Sequence, residues 1–446
     1  MPSDLPKAAG DSRIAVMRQR AREIFEHALA ECSIFKAFTR CVRFDAGRLH
    51  VGENRYDLRG LSSIAVISIG KAGHSMAEAL AKLVPTEIGG IVACPVAPKS
   101  PLAGFRYFYG GHPLPNEDSL RAGAAILDLL RGLPSPSLVL YLISGGASAI
   151  AEKPIRADLT LSDVIETNRT LVLSGAPIAE INAIRKHLSA IKGGRMAKAA
   201  SPATQVSLLV SDVPDDALDA LGSGPTMPDT STMADCYAIA KHYDLVTKLP
   251  ERVQLIFTTE ELSETPKMDD AAFANSRYVT VLSNQTAVEA ATIHAKALGF
   301  TVEVDNSCDD WDYARAADYL LARLRGSPQN RSPICLVSGG EVTVTVAKNS
   351  GVGGRNQQFA LYCAEKIEGE SITVLSAGTD GIDGNSPAAG AVVDGVTVAR
   401  ARQHGLNVDS AISRFDAFPL LEAIGDAIVT GPTGNNVRDL RILLAY

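Results

Sequence analysis

Leu138-Val139-Leu140-Tyr141-Leu142-Ile143-Ser144-Gly145-Gly146-Ala147-Ser148 decides the fold: six apolar residues in a row stop at a run of small and polar ones. An apolar strand without polar alternation suits a sheet covered on both faces. The same design recurs along the chain. Ile64–Ile69 runs into Gly70-Lys71-Ala72-Gly73, Val206–Val210 into Ser211-Asp212, and Tyr278–Leu282 into Ser283-Asn284. Ile334–Val337 ends in Ser338-Gly339-Gly340-Glu341, and Ile372–Leu375 in Ser376-Ala377-Gly378-Thr379-Asp380-Gly381. Strands alternating with helical stretches predict parallel βαβ units. Ligands of open α/β sheets bind beyond the carboxyl ends of the strands, so these six polar ends are candidate walls of a site.

Working outward, Ile14–Leu29 reads as an amphipathic helix with Ile14, Met17, Ala21, Ile24, Phe25 and Ala28 on one stripe. Thr160 and Asp163 form a capping box for a second helix, which Gly175 stops. Pro177 opens a third, with Ile178, Ile181, Ile184, Leu188 and Ile191 as its apolar face and Gly193-Gly194 at its end. Its Arg185, Lys186, His187 and Lys192 predict a solvated, cationic face. Polar stretches at Leu249–Ala274 and Gly326–Pro333 read as connections, and Val342, Val344 and Val346 alternating with Thr343 and Thr345 read as a strand with one wet face. The expectation is an α/β protein: a Rossmann-like N-terminal domain with a mostly parallel sheet over residues 1–275, and a smaller mixed α/β domain over 276–446.

Composition narrows the class. Of 446 residues 46% are apolar, 21% charged and only 5% aromatic, with 37 glycines. Acidic residues outnumber basic ones 50 to 43, so the net charge of −7 gives no electrostatic case for nucleic-acid binding. Seven widely spaced cysteines with no C-x-x-C pair predict reduced thiols rather than a disulfide framework or a zinc knuckle. The leader before Ile14 lacks the apolar core of a signal peptide, and no apolar run is long enough to span a bilayer. A cytoplasmic protein without membrane partners is expected.

Several segments could carry chemistry. Lys71 lies between glycines in a strand-to-helix turn, where an ammonium beside free amides suits phosphate oxygens; a surface lysine in a turn is the plainer alternative. The segment is no Walker A loop, since Ala65 and Ala72 stand where Gly and Ser or Thr would be required. Ser144, Gly145, Gly146 and Ser148 offer consecutive amides for an anion nest, and they lack the glycine spacing of a nucleophile elbow. Gly351-Val352-Gly353-Gly354-Arg355-Asn356-Gln357-Gln358 sets a fork-shaped cation at a helix start beside free amides. Asp380 and Asp383 follow one strand, and Asp212, Asp215, Asp216 and Asp219 another. Such carboxylates can hold Mg²⁺ or take a proton from a hydroxyl. Gly222-Ser223-Gly224 and Thr433-Gly434-Asn435-Asn436 suggest further backbone-lined pocket. No metal-binding histidine pair is present in the sequence.

In order along nearly the whole chain, Gly70-Lys71-Ala72, Gly111-His112-Pro113, Ser144–Ser148, Asn182–Gly194, Ser211-Asp212, Gly222-Ser223-Gly224-Pro225, Gly353–Gln357, Gly378-Thr379-Asp380-Gly381 and Thr433-Gly434 with Asn436 resemble the class II glycerate 2-kinases. That family has a MOFRL-type C-terminal domain, and its members are often called hydroxypyruvate reductases. The resemblance implies ATP- and Mg²⁺-dependent phosphorylation of D-glycerate to 2-phosphoglycerate in an interdomain cleft, by a monomer or homodimer. It implies dependence on a lysine and an arginine matching Lys71 and Arg355. Asp212 and Asp380 are then the expected base and metal carboxylates. Ser144, Gly145, Gly146, Ser148, Gly222, Gly224, Gly339, Gly340, Glu341, Gly354, Asn356, Gln357, Thr433, Gly434 and Asn436 are the expected substrate and nucleotide contacts. An NAD(P)H-dependent hydroxypyruvate reductase is the alternative, although Gly70-Lys71-Ala72-Gly73-His74-Ser75 is not the Gly-x-Gly-x-x-Gly fingerprint. A non-catalytic sensor of organic acids would need a cleft but not the carboxylates.

Overall fold

The computed structural model describes residues 5–214, 216–327, 332–345 and 350–446, with backbone alone over 5–12. Asp215, Pro328–Asn330 and Val346 lie outside the described residues. The chain divides into an inserted unit, Ile34–Val281, and a flanking unit made of Met1–Ser33 with Leu282–Tyr446. The first helix therefore groups with the C-terminal segment, and the later division falls at Val281–Leu282.

The inserted unit is built on six strands: β1 (Ser63–Ile69), β2 (Gly89–Cys94), β3 (Phe105–Tyr109), β4 (Ser137–Ser144), β5 (Thr204–Val210) and β6 (Ser276–Leu282). Their order is β3-β2-β1-β4-β5-β6, and the first five pair in parallel. Every residue of β4 is buried, as its unbroken apolar run demands. The chain winds outward from β1 through β2 to β3, then returns to lay β4 against the other side of β1, so the winding direction reverses between β1 and β4. Ser63 to Ile69 face Ser137 to Ile143 in register, which ends both strands level with one another. Helices Gly73–Leu83 and Glu117–Arg131 carry the chain between strands, the second started by a capping box of Asn116 with Ser119. A three-stranded antiparallel meander (Val42–Asp45, Arg48–Val51, Asn54–Asp57) precedes the sheet.

Thr160 and Asp163 form the expected capping box on helix Leu161–Leu173. The helix after Pro177 ends at His187, short of Gly193-Gly194, and its first apolar residue, Ile178, is exposed. Its cations are not a solvated face. Lys186 is buried and bonds Asp219 at 2.9 Å and Asp229 at 3.1 Å. Lys192 pairs with buried Glu152, and His187 Nε2 meets Glu264 at 3.0 Å. Buried charges persist only when paired, and these find their carboxylates far away in sequence.

The flanking unit holds a mixed sheet: β7 (Thr301–Val304), β8 (Ile334–Gly339), β9 (Ile372–Gly378), β10 (Gly390–Asp394), β11 (Ala427–Ile428) and β12 (Asp439–Ala445). The order is β7-β8-β12-β9-β10-β11, with β7 and β8 parallel and every other pair antiparallel. The helix predicted over Ile14–Leu29 runs from Leu5 to Glu31 and buries Ala21, Ile24, Phe25 and Ala28 in a core with Val288, Leu375 and Leu444. Arg18 fastens it, reaching Asp394 at 2.6 Å and Asp426 at 2.7 Å. The alternating Val342–Thr345 segment is not a strand; one bridge, Thr343 to Asp312, is its only sheet-like pairing among the described residues.

Candidate active site

In the inserted unit the ends of β1, β4 and β5 bring the expected residues together where the winding reverses. Gly70, at φ +127°, leads out of β1; a Cβ there would lie 2.2 Å from Ser144 Oγ and 2.6 Å from Ser144 O. Only glycine allows the two strand ends to approach so closely. Lys71 N donates to Gly145 O at 2.9 Å and Ala72 N to Ser144 Oγ at 3.1 Å, which fixes the lysine turn on the β4 turn. A Cβ on Gly145 would fall 2.0 Å from Asp212 Oδ2, so that carboxylate lies against the nest. Gly146, at φ +80°, opens the short turn Ala147–Ile150, whose first amides have no carbonyl of their own helix to bond. Ser148 Oγ meets Ser223 Oγ at 3.0 Å. Gly222 packs on Ala147, and Gly224 O accepts from Gly194 N at 2.8 Å. Lys71, Ser144, Gly145, Gly146, Ser148, Asp212, Gly222 and Gly224 thus form one constellation around small residues and open amides, a setting for an anion.

The second group lies in the flanking unit, around a cleft of about 750 Å³ lined by Glu341, Arg355, Asp380, Asn385, Phe415 and Asn436. Arg355 begins helix Arg355–Lys366. Its Nε and NH2 donate to the buried Asp439 at 2.6 and 3.0 Å, and NH2 also stands 2.7 Å from Glu341. Among the described residues NH1 has no partner, so one edge of the fork is left toward the cleft. The two carboxylates hold Arg355 charged, raising its pKa despite burial. Burial, and then the charge of Asp439, push the Glu341 carboxyl up. Asp439 and Asp380 both approach Gly378, where a Cβ would lie 3.3 and 3.2 Å from their Oδ1 atoms.

The helix-start amides beside Arg355 are not free, contrary to the expectation. Asp383 accepts from Asn356 N at 3.1 Å and Gln357 N at 2.8 Å, and from both side-chain amides. Burial pushes its carboxyl up to about 6, with Asp439 adding to the effect and these hydrogen bonds opposing it. Gly354 has no side chain because Asp383 occupies that space, 2.3 Å from a Cβ. Asn356 and Gln357 point inward, to Ser376 and Ser386 as well as Asp383. The amides of Gly339, Gly340 and Glu341 are likewise consumed, by Asn306, Asn284 and Asp309 at 2.8, 2.9 and 3.0 Å. Of that segment the Glu341 side chain alone engages the cleft cation. Thr433 bonds Thr379 O at 2.6 Å and Gly434 stands in open space, while Asn436 Oδ1 accepts from Arg438 N and the residue lines the cleft.

Sequence reasoning did not assign Asp439, whose spacing from Arg355 carries no signal, or His112, which appeared in a Gly-His-Pro motif without a role. Among the described residues no group of three His, Cys, Asp or Glu could hold a metal. Mg²⁺ taken up with substrate phosphate needs only one or two carboxylates, and half-buried Asp212 and Asp380 suit that use. Among the described residues no helix is long and apolar enough to cross a membrane.

Two family models match the chain: the domain of unknown function DUF4147 over residues 20–258 and the MOFRL family over 334–439. Glycerate 2-kinase of Pyrococcus horikoshii is 32% identical over 437 residues, covering 96% of this chain and 97% of its own. A protein of Agrobacterium vitis bearing the provisional name hydroxypyruvate reductase is 37% identical, covering 85% and 86%. The crystal structure of glycerate kinase from Thermotoga maritima superposes with a TM-score of 0.84 at 32% identity, over 97% of this chain and 100% of that one.

Proposed function

The chain belongs to the glycerate kinase family that joins a DUF4147 segment to a MOFRL segment, and on that premise we propose that it transfers the γ-phosphoryl group of ATP to the C2 hydroxyl of D-glycerate. The products are 2-phosphoglycerate and ADP. The observation that carries the reading is Lys71, set between glycines at the reversal point of the sheet and fixed on the open Gly145–Ser148 turn with Asp212 beside it. Phosphoryl transfer asks a protein chiefly to position the groups and neutralise charge on the phosphoryl oxygens. Lys71 and the turn amides supply both for the phosphates, and Asp212 would hold Mg²⁺ arriving with the nucleotide, which would add charge neutralisation at the phosphate oxygens. The open NH1 of Arg355 takes the glycerate carboxylate in a charge-assisted hydrogen bond. Asp380, which lines the same cleft, receives the C2 hydroxyl proton as the C2 oxygen bonds phosphorus and the bond to the ADP oxygen breaks. All seven cysteines are thiols rather than disulfide partners, which supports a cytoplasmic setting.

The reductase reading has the strand order in its favour, because β3-β2-β1-β4-β5-β6 is also that of dinucleotide-binding sheets. The first turn counts against it. Gly70-Lys71-Ala72-Gly73-His74-Ser75 has Ala72 and Ser75 where the fingerprint needs its second and third glycines, and Ala93-Cys94-Pro95 at the end of β2 has no acid for a ribose. The test is phosphorus NMR of the product formed from ATP, Mg²⁺ and D-glycerate. The 2-phosphate is expected; 3-phosphoglycerate as sole product would overturn the regiochemistry. NADPH oxidation by hydroxypyruvate without any phosphate transfer would overturn the whole reading.

A further inference from the structure

We propose that His112 is a further catalytic residue, its imidazole donating a hydrogen bond to the phosphoryl oxygens that Lys71 and the Gly146 turn hold; the proposal rests on the kinase reading. Three observations lead there. The ring lies directly on the nest: a Cβ on Gly146 would fall 2.8 Å from His112 Cδ2, 3.2 Å from Nε2 and 3.3 Å from Lys71 Cγ. The absent side chain of Gly146 is therefore what lets imidazole and lysine share one spot above the open amides.

The loop that presents the ring is pinned. A Cβ on Gly110 would lie 1.9 Å from Ile150 O and one on Gly111 2.3 Å from Leu114 O, while Gly111 N donates to Ser119 Oγ at 3.0 Å. Such close backbone contacts fix where residue 112 stands, on rigid support rather than on a free loop. Finally, neither ring nitrogen has a hydrogen-bond partner among the described residues. The protein itself engages His74 through Tyr107 Oη, His187 through Ala183 O and Glu264, and His404 through Arg400 O, whereas the exposed His112 ring is open to an incoming ligand. His112 is an exposed residue, yet partial desolvation and then the neighbouring Lys71 charge lower its pKa from the ordinary value, which favours the neutral ring with its one N–H donor. A donor already in place where charge develops needs no reorganisation during the reaction.

The experiment compares His112→Ala and His112→Gln with the full-length wild type, all assayed for glycerate phosphorylation. The expected result is a kcat lower by about 10- to 100-fold in the alanine variant, with the KM for D-glycerate within about threefold. The glutamine variant, which keeps an N–H donor, should recover most of the loss. Equal impairment of both variants, or an alanine variant within twofold of wild type, overturns the proposal while leaving the kinase reading intact. Failure of the wild type to phosphorylate glycerate instead removes the premise. Should the alanine variant not fold, NMR of the wild type with labelled imidazoles decides. Inorganic tripolyphosphate should shift the His112 ring signal saturably, and no shift under conditions that support ATP turnover overturns the proposal.

Discussion

Asp439→Asn tests how much of the Arg355 chemistry depends on a residue that need never touch substrate. Asp439 is 1% exposed and receives both Nε and NH2 of the arginine, at 2.6 and 3.0 Å. Asparagine keeps one oxygen and so one of the two bonds; it replaces the other with an N–H donor facing a donor. Losing one charge-assisted bond costs about 1.5–3 kcal/mol. Part of that is offset, because the Asp439 charge also raises the carboxyls of Glu341 and Asp383, and its removal relieves both. The net expectation is a stability loss of about 1–2 kcal/mol, a fall in Tm of a few degrees. Catalysis should suffer more. A guanidinium free to swing toward Glu341 is misplaced by an ångström or so, and displacement on that scale costs on the order of 10²-fold in rate. The assay is kcat/KM for D-glycerate in Asp439→Asn, Arg355→Ala and the double variant. Asp439→Asn should lose about 30- to 100-fold in kcat/KM and should add nothing to Arg355→Ala, since its effect runs through that side chain. Additive losses, or a folded Asp439→Asn enzyme within twofold of wild type, would refute the reasoning.

Lys71→Ala and Arg355→Ala should each lower phosphoryl transfer by about 10²-fold or more with an unchanged circular dichroism spectrum; normal turnover in either removes that residue from the site. Gly145→Ala places a Cβ 2.0 Å from Asp212 Oδ2 and should raise the Mg²⁺ concentration needed for half-maximal rate, so an unaltered metal titration would separate Asp212 from the metal. Excess chelator should abolish turnover and added Mg²⁺ restore it. Glu264 offers a pH test: burial works against its charge, but hydrogen bonds from Lys267, His187 and two backbone amides prevail and pull its pKa from 4.5 to about 2. Its contribution to stability is then full above about pH 4.5 and lost as pH falls toward 2, and Glu264→Gln should flatten the urea midpoint over that window.

All six strands marked by apolar runs are present, and so is the Thr160–Asp163 cap, because each depends on neighbours in sequence. What escaped depends on partners far away. β12 carries no clear sequence signal although it lies at the middle of its sheet: Asp439 opens it, and Arg441 interrupts the apolar run Leu440–Ala445. That arginine is fully buried, with NH2 donating to Gly339 O at 2.6 Å and Gly340 O at 3.1 Å. The cations after Pro177 sit opposite an apolar stripe, as a solvated face would. Nothing local announces Asp219, Asp229, Glu152 or Glu264 as their partners. In the site, the Lys71 turn and the nest were legible because glycine marks close backbone approach. The Gly339–Glu341 amides look as open in sequence as those of Gly145–Ser148, yet Asn284, Asn306 and Asp309 arrive from other segments to close them.

The position of β12 also bears on how the chain is made. Its neighbours on either side, β8 and β9, are each hydrogen-bonded to it along nearly its whole length, so the two halves of the sheet have no native link until it arrives. Yet it leaves the ribosome after every other strand of that sheet. The inserted unit, whose strands are complete by Leu282, can fold while synthesis continues. The flanking unit cannot: helix Leu5–Glu31, translated before the rest of that unit, must keep Ala21, Ile24, Phe25 and Ala28 exposed until the sheet that covers them exists. During translation that apolar stripe is left open to solvent and to aggregation for as long as the last strand is missing.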